Sequence, residues 1–492
     1  MLRPIPLLDL AFLWIDRPET PANVGALLLF DPPAGQDPTR LARQAVRAYR
    51  SKPPTPPFDS IPDLPTLGLP RWRRADRVDL RRHVLLDKLD PPGNLEQLHR
   101  HVARLHERLL DRSRPLFEVH LIHGLASGQF AMYLKSHHAN WDGRYAMERV
   151  FGNLPREPGA IAPAFFAVPD PGAVVEHSGG VIADGLRALL ARAAGFKELL
   201  ASLSARARAT LDAQHGAGNR PFAGPHTRLN DPVAPERSFA TFELPLEAMR
   251  RVGRAAGGTL NDVALTVADA GIGRYLADLG ERPAEPIVAM CPVSMRDPGD
   301  HEATTKSATY FVPLGAPRAG AAARLHQVVA ATRAAKDEFR GRSLAAMQDY
   351  AMLAFGLWLA SSTLGLGAVT RPVINFVLSN VGAIDGPRYL GCSRLAAAYP
   401  VSMLADPTGL NITTMTLDGR MHFGIVANAA AVDAVRISQA CTKAFEDLSR
   451  AMARAARTGA LPRAGSPQAL VLRKAPLRKP SRTRRMPDSQ RS

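Results

Sequence analysis

Phe130-Ala-Met-Tyr-Leu-Lys-Ser136-His137-His138-Ala-Asn-Trp-Asp142-Gly143 is the stretch on which the reading of this chain turns. Phe117 to Ile122 alternates apolar and polar positions, and Phe130 to Leu134 reads as a second strand. Gly124-Leu-Ala-Ser-Gly128 lies between them, so the pair reads as a β-hairpin. Residues 142–152 read as a helix. Two histidines and an acid therefore fall where a strand gives way to a helix. A neutral imidazole accepts a proton near pH 7. Adjacent residues leaving a strand point to opposite sides, so only one of the pair can face a reaction centre. Asp142 is placed to fix the nearby backbone and ring, and Gly143 to permit a turn that other residues resist. Three other readings fit the same residues. A pair of satisfied core histidines is the bland one. A metal site would add His120 and His123, without an evident set of three or four converging ligands. A serine hydrolase would need a Gly-x-Ser-x-Gly elbow, which is missing.

Outward from this stretch, the chain reads as two similar halves. Leu8 to Arg17 is a short amphipathic helix and Val24 to Phe30 a strand closed by Pro32-Pro33. Residues 51–70 are Pro-rich and read as a surface loop. Asn94 is a candidate N-cap for a helix to Leu110. Residues 153–180 are rich in Pro, Gly and Ala, and Ile182 to Gln214 is a long helical stretch with a basic face, suited to the body of the protein or to a membrane surface. The second half has strands at 239–244, 286–295, 307–314, 374–381 and 395–403, and helices at 246–256, 259–279, 319–340, 343–365 and 430–457. Asp418-Gly419, between 409–417 and 421–427, is the strongest hairpin signal. The expected organisation is an N-terminal domain at 1–152, a linker with a long helix at 153–235, a C-terminal domain at 236–458 and a basic, disordered tail at 459–492. Mixed helix and strand without regular βαβ repetition gives an α+β (mixed α/β) class.

Composition narrows the classes. With 46% hydrophobic residues over 492 positions, the chain is not mostly disordered. Its net charge of +17 comes from 62 Lys+Arg, of which only nine are Lys, against 45 Asp+Glu. Eight of those basic residues lie in 471–492. No basic–aromatic interleaving or known binding motif accompanies them, so no nucleic-acid partner is expected. Three cysteines make no disulfide framework. Asp9 and Asp16 interrupt the apolar start, so it is not a signal peptide. Ala351 to Thr370 is uncharged for 20 residues but diluted by Gly, Ser and Thr; it reads as a buried or interface-lying helix rather than a span.

His137-His138-x-x-x-Asp142-Gly143 is similar to the active-site signature of CoA-dependent acyltransferases with the chloramphenicol-acetyltransferase fold. Its surroundings resemble the bacterial wax ester synthase/diacylglycerol acyltransferase family. They are Pro6-Leu-Leu-Asp9-Leu-Ala-Phe12-Leu13, Leu110-Asp111-Arg-Ser-Arg114-Pro115-Leu116-Phe117-Glu118, Gly257-Gly258-Thr259-Leu260-Asn261-Asp262-Val263, Pro292-Val293-Ser294-Met295-Arg296, Ser379-Asn380-Val381, Tyr399-Pro400-Val401-Ser402 and Gly409-Leu410-Asn411-Ile412-Thr413. The resemblance spans roughly 4–455. It implies two chloramphenicol-acetyltransferase-like domains flanking a central tunnel. It implies acyl-CoA as co-substrate, no metal or prosthetic group, and a fatty alcohol or diacylglycerol as acceptor. It also implies a cytoplasmic protein held peripherally at the inner membrane face, an anionic surface or a lipid droplet. His138 would be the general base, with His137 packed behind it and Asp142 orienting. Asn261 would be the oxyanion donor, or blandly a helix N-cap; Asp262 and Asn380 are lesser candidates. Departures are Trp141, Arg144-Tyr145, the stretch Arg296 to Lys306 without a Gly-Asn pair, and Gly382-Ala-Ile-Asp-Gly386-Pro387. They touch the acceptor, the acyl chain length and the CoA site. Two rivals keep the fold: another hydroxyl or amine acceptor, and a non-catalytic lipid-binding or lipid-body protein.

Overall fold

The computed structural model describes residues 2–65, 70–169, 224–294, 307–337 and 371–458. The expected helices at 182–214 and 343–365, the apolar run 351–370, the stretch 296–306 and the tail 459–492 lie outside the described residues.

The first half runs β1 (Leu2–Pro4), α1 (Leu7–Ile15), β2 (Asn23–Asp31), α2 (Pro38–Tyr49), β3 (Ser60–Asp63), β4 (Arg71–Arg74), β5 (Val84–Lys88), α3 (Leu95–His106), β6 (Phe117–His123), β7 (Phe130–His137) and α4 (Gly143–Gly152). Asn94 caps α3 in a reciprocal pair with Gln97, satisfying two N–H groups that the helix cannot. The second half runs β8 (Arg237–Pro245), α5 (Leu246–Ala255), α6 (Leu260–Asp278), β9 (Val288–Ser294), β10 (Ser307–Pro313), α7 (Ala321–Asp337), β11 (Phe376–Ile384), β12 (Tyr389–Leu390), β13 (Ser393–Val401), β14 (Leu410–Leu417), β15 (Arg420–Asn428) and α8 (Ala434–Thr458). Asp418 and Gly419 both take positive φ, 51° and 72°, as the tight turn between β14 and β15 requires.

Two six-stranded sheets carry the molecule. One has the order β12-β13-β2-β7-β6-β5, the other β10-β9-β11-β14-β15-β8. The division into 1–152 and 236–458 is therefore not clean. β13 leaves the second half and pairs antiparallel with β2, from Arg394 opposite Asp31 to Val401 opposite Gly25. The physical reason is that β2 would otherwise be an unpaired sheet edge, and a second-half strand covers it. Where β13 then passes β15, a Cβ on Gly424 would lie 1.7 Å from the Pro400 carbonyl oxygen, so only glycine admits the approach.

The Pro-rich stretch 51–70 is not a plain surface loop. β3 and β4 form a small antiparallel sheet with β1. Phe58 is fully buried, its ring meeting Phe117, Trp141 and Phe165 edge-on. Phe165 and Phe166 belong to the span expected to be linker, yet both are core residues. Burying rings of this size contributes about 1.5–3 kcal/mol each, enough to hold a proline-broken segment against the sheet.

Candidate active site

β7 is the central strand beneath the site. It lies between β2 and β6, and all eight of its residues are buried. Its end is pinned by the backbone: His137 N–H donates to the Leu116 carbonyl and His138 N–H to the Ala22 carbonyl, at 3.1 and 2.8 Å. The chain then turns through one 3-10 turn, His138–Asn140. Asn140 Nδ2 ties that turn back to Leu116 O and Ser136 Oγ, both at 2.9 Å.

His137 has no exposed surface. Its Nδ1 accepts the Ala139 N–H at 3.1 Å, which puts the ring proton on Nε2. Nε2 faces Asp16 Oδ2 at 3.6 Å. Burial alone would raise the Asp16 pKa. His137, the Ala22 N–H and Arg112 outweigh it and hold the carboxyl below the usual range. His137 is thus directed into the protein, as expected.

His138 lies against α1. Its ring stacks on Phe12 of α1, centroids 4.0 Å apart and planes 16° from parallel. Phe12 in turn packs with Val288, Phe311, Val377 and Met403, so His138 lies at the seam between the two halves. Burial pushes its pKa down to about 4, against the opposite pull of its own carbonyl and of Asp142. Nδ1 is buried and makes no hydrogen bond. Nε2 makes no hydrogen bond with a described residue. The ring is neutral at pH 7.

Asp142 is the N-cap of α4, its Oδ1 accepting the Tyr145 N–H at 2.8 Å. Gly143 does not serve a left-handed turn; it is missing from the positive-φ glycines. Its hydrogen makes room for β11: a Cβ there would meet Val381 Cγ1 at 2.8 Å. The first motif and Ser379-Asn380-Val381 therefore meet in space. Trp141 is buried beneath them, against Phe58 and Phe165.

Comparison with known proteins places this geometry. The family model described as the wax ester synthase/diacylglycerol acyltransferase catalytic domain matches residues 6–264, and the WS/DGAT C-terminal domain matches 306–449. The chain belongs to this family. It is an acyltransferase. A Mycobacterium tuberculosis protein named as a diacylglycerol O-acyltransferase is 34% identical over 455 residues, covering 85% of this chain and 91% of the relative. The structure of the wax ester synthase/diacylglycerol acyltransferase from Marinobacter aquaeolei VT8 is similar at a TM-score of 0.74 and 27% identity, covering 92% of this chain and all of that one. The first condensation domain of the calcium-dependent antibiotic synthetase shares the fold, with a TM-score of 0.54 and 16% identity over 92% of this chain and 97% of that one. The chloramphenicol-acetyltransferase-like fold expected from the sequence is present as two six-stranded sheets, the first completed by β12 and β13 of the second half.

The second half's candidates in this acyltransferase are placed differently. Thr259, not Asn261, caps α6, in a reciprocal box with Asp262. Asp262 is fully engaged: Oδ2 accepts from Thr259 N and Oγ1 at 2.7 and 2.9 Å, Oδ1 from Thr332 Oγ1 at 2.6 Å. Asn261 lies beside the Tyr310 hydroxyl, whose pKa burial pushes up. No described contact joins Asn261 to His137, His138 or Asp142. Asn380 is exposed and its Oδ1 accepts the Gly382 N–H at 3.1 Å.

The metal reading dissolves into ion pairs. His120 sits between Asp87 and Glu118, at 2.9 and 3.4 Å, and those two carboxylates outweigh burial and raise its pKa. His123 Nδ1 instead lies 3.3 Å from Thr39 Oγ1. Among the described residues no three His, Cys, Asp or Glu are arranged to hold a metal ion.

Sequence reasoning missed Phe12 and Asp16 as parts of the site. A signal was present: an acid inside an otherwise apolar start, with no basic neighbour at helical spacing on its N-terminal side. A carboxylate in such a run needs a distant partner.

Proposed function

We propose that this protein transfers a fatty acyl group from acyl-CoA to the hydroxyl of diacylglycerol or a long-chain alcohol, with His138 as general base. The observation that carries this reading is the neutral His138 imidazole at the seam of the halves, its Nδ1 buried without a hydrogen-bond partner and its Nε2 without one among the described residues. His138 Nε2 takes the proton of the acceptor hydroxyl as that oxygen attacks the thioester carbonyl carbon. The tetrahedral adduct collapses, the C–S bond breaks, and the proton passes from Nε2 to the departing CoA sulfur. No acyl-enzyme forms and no prosthetic group takes part. The low resting pKa keeps the ring unprotonated. Negative charge growing on the attacking oxygen beside it then favours the imidazolium. CoA and the lipid approach His138 from opposite ends of a tunnel between the halves. A structure with C8-CoA bound to the starter condensation domain of rhizomide synthetase, a distant fold relative, supports CoA as donor. Asn261 is the candidate donor to the oxyanion of the tetrahedral adduct.

An insoluble acceptor favours peripheral attachment to a membrane or lipid-droplet surface. Among the described residues no helix is long and apolar enough to cross a membrane. The test is product analysis with labelled palmitoyl-CoA and a panel of diacylglycerol, hexadecanol and long-chain amines. Acylglycerol or wax ester formed in step with free CoA is the expected result. Amide alone, or no acylated product, contradicts it.

A further inference from the structure

We propose that Asp16 is a positioning residue for acyl transfer, acting on His138 through His137. This rests on the reading of His138 as the base. Asp16 follows directly on α1, the helix whose Phe12 stacks on the His138 ring. Its side chain is almost wholly buried and has three neighbours. Oδ1 accepts the Ala22 N–H at 2.9 Å. Oδ2 accepts from Arg112 Nη2 at 3.1 Å and faces His137 Nε2 at 3.6 Å. The Ala22 carbonyl receives the His138 N–H. Arg112 also donates to the Leu13 carbonyl and so locks the end of α1.

One carboxylate therefore fixes both sides of the histidine pair. From behind, it favours the proton on His137 Nε2, which leaves Nδ1 as an acceptor for Ala139 N–H. That bond shapes the single turn presenting His138. From the side, it holds the Ala22 backbone to which His138 is bonded. A neutral amide at position 16 removes the preference for the Nε2–H form. With the proton on Nδ1, the ring no longer accepts from Ala139 and the turn loosens. Small misplacement of a reacting group costs up to about 10²-fold in rate.

A double-mutant cycle separates this role from simple anchoring of Ala22 and Arg112. The full-length enzyme is compared as Asp16→Asn, His137→Ala, Asp16→Asn with His137→Ala, Asp16→Glu and His138→Ala. Readouts are kcat, KM for palmitoyl-CoA and thermal melting. Asp16→Asn should lower kcat by about 10²-fold with KM little changed. Asp16→Glu, which keeps the charge, should recover most of that loss. In the His137→Ala background Asp16→Asn should have almost no further effect on kcat, because its route to His138 is gone. If Asp16→Asn does not fold, Asp16→Glu carries the same cycle, and its smaller loss must likewise vanish without His137. Near-normal kcat in Asp16→Asn, or an equal loss with and without His137, overturns the proposal. Near-normal kcat in His138→Ala overturns the base assignment instead, so the two failures are told apart.

Discussion

Asp142 and Asp262 each close the start of a helix, α4 in the first half and α6 in the second, by accepting a backbone N–H three residues away. Each lies within a motif that the sequence marks as functional. In the second half Asp262 spends its oxygens on Thr259 and Thr332, and the turn is a joint between α6 and α7. In the first half the turn before the cap holds His138 with one ring nitrogen left without an external partner. An N-cap aspartate in the first half thus presents a base, while in the second half an aspartate reciprocal to the Thr259 cap holds a framework. What decides is the group placed before the aspartate and whether its valences are filled by the protein. Asn261 Oδ1, buried without a partner, is the one feature of the second motif that departs from this.

The contrast can be broken first at Asp262. Asp262→Ala strips acceptors from two hydroxyls and a backbone N–H, and the stability cost should be about 3 kcal/mol. Urea unfolding checks this, with turnover expected to fall only as the folded fraction falls. A stable Asp262→Ala protein with turnover abolished would move this residue into the reaction.

Asp142→Asn sharpens the other side. Asparagine is as good an N-cap as aspartate, so stability should change by less than about 1 kcal/mol. Yet the negative charge that draws the His138 pKa upward is lost. Turnover should fall several-fold while melting hardly moves. Equal loss in both would mean that Asp142 acts only as a cap.

Acid titration gives the smallest effect and tests the burial of the histidines. His138 and His99 are pushed down by burial to about 4, and His106 by burial and the Lys135 charge to about 3. All three bind protons more weakly folded than unfolded, where the pKa is about 6.5. Between these values the unfolded chain holds more protons, so stability should fall as pH drops from about 6.5 toward 4. His120, raised by Asp87 and Glu118, opposes this in part. The check is the melting temperature from pH 7 to pH 5, which should decline steadily. A flat profile would show that these rings are not desolvated.

Much of this was legible because it is local. The Asp418-Gly419 turn, the Asn94 cap and the strand running into His137 are set by residues within a few positions of one another. The missed features are pairings at a distance. Nothing near Gly143 announces Val381, so the glycine reads as a turn former when its use is close packing. β13 alternates like any strand, and its own residues do not say which sheet it joins. Phe58 sits among prolines that signal a loop, while its partners lie up to about a hundred residues away. Asp16 shows its role only when His137 is brought to it.

His138 as the proton acceptor is what the reaction depends on, and one measurement tests that most directly. His138→Ala, shown to be folded by its melting curve, is assayed with palmitoyl-CoA and both diacylglycerol and hexadecanol. Loss of general-base catalysis costs about 10²–10⁴-fold, so kcat should fall by that much while the melting temperature stays close to that of the parent. A folded His138→Ala enzyme with near-parental kcat would contradict the account.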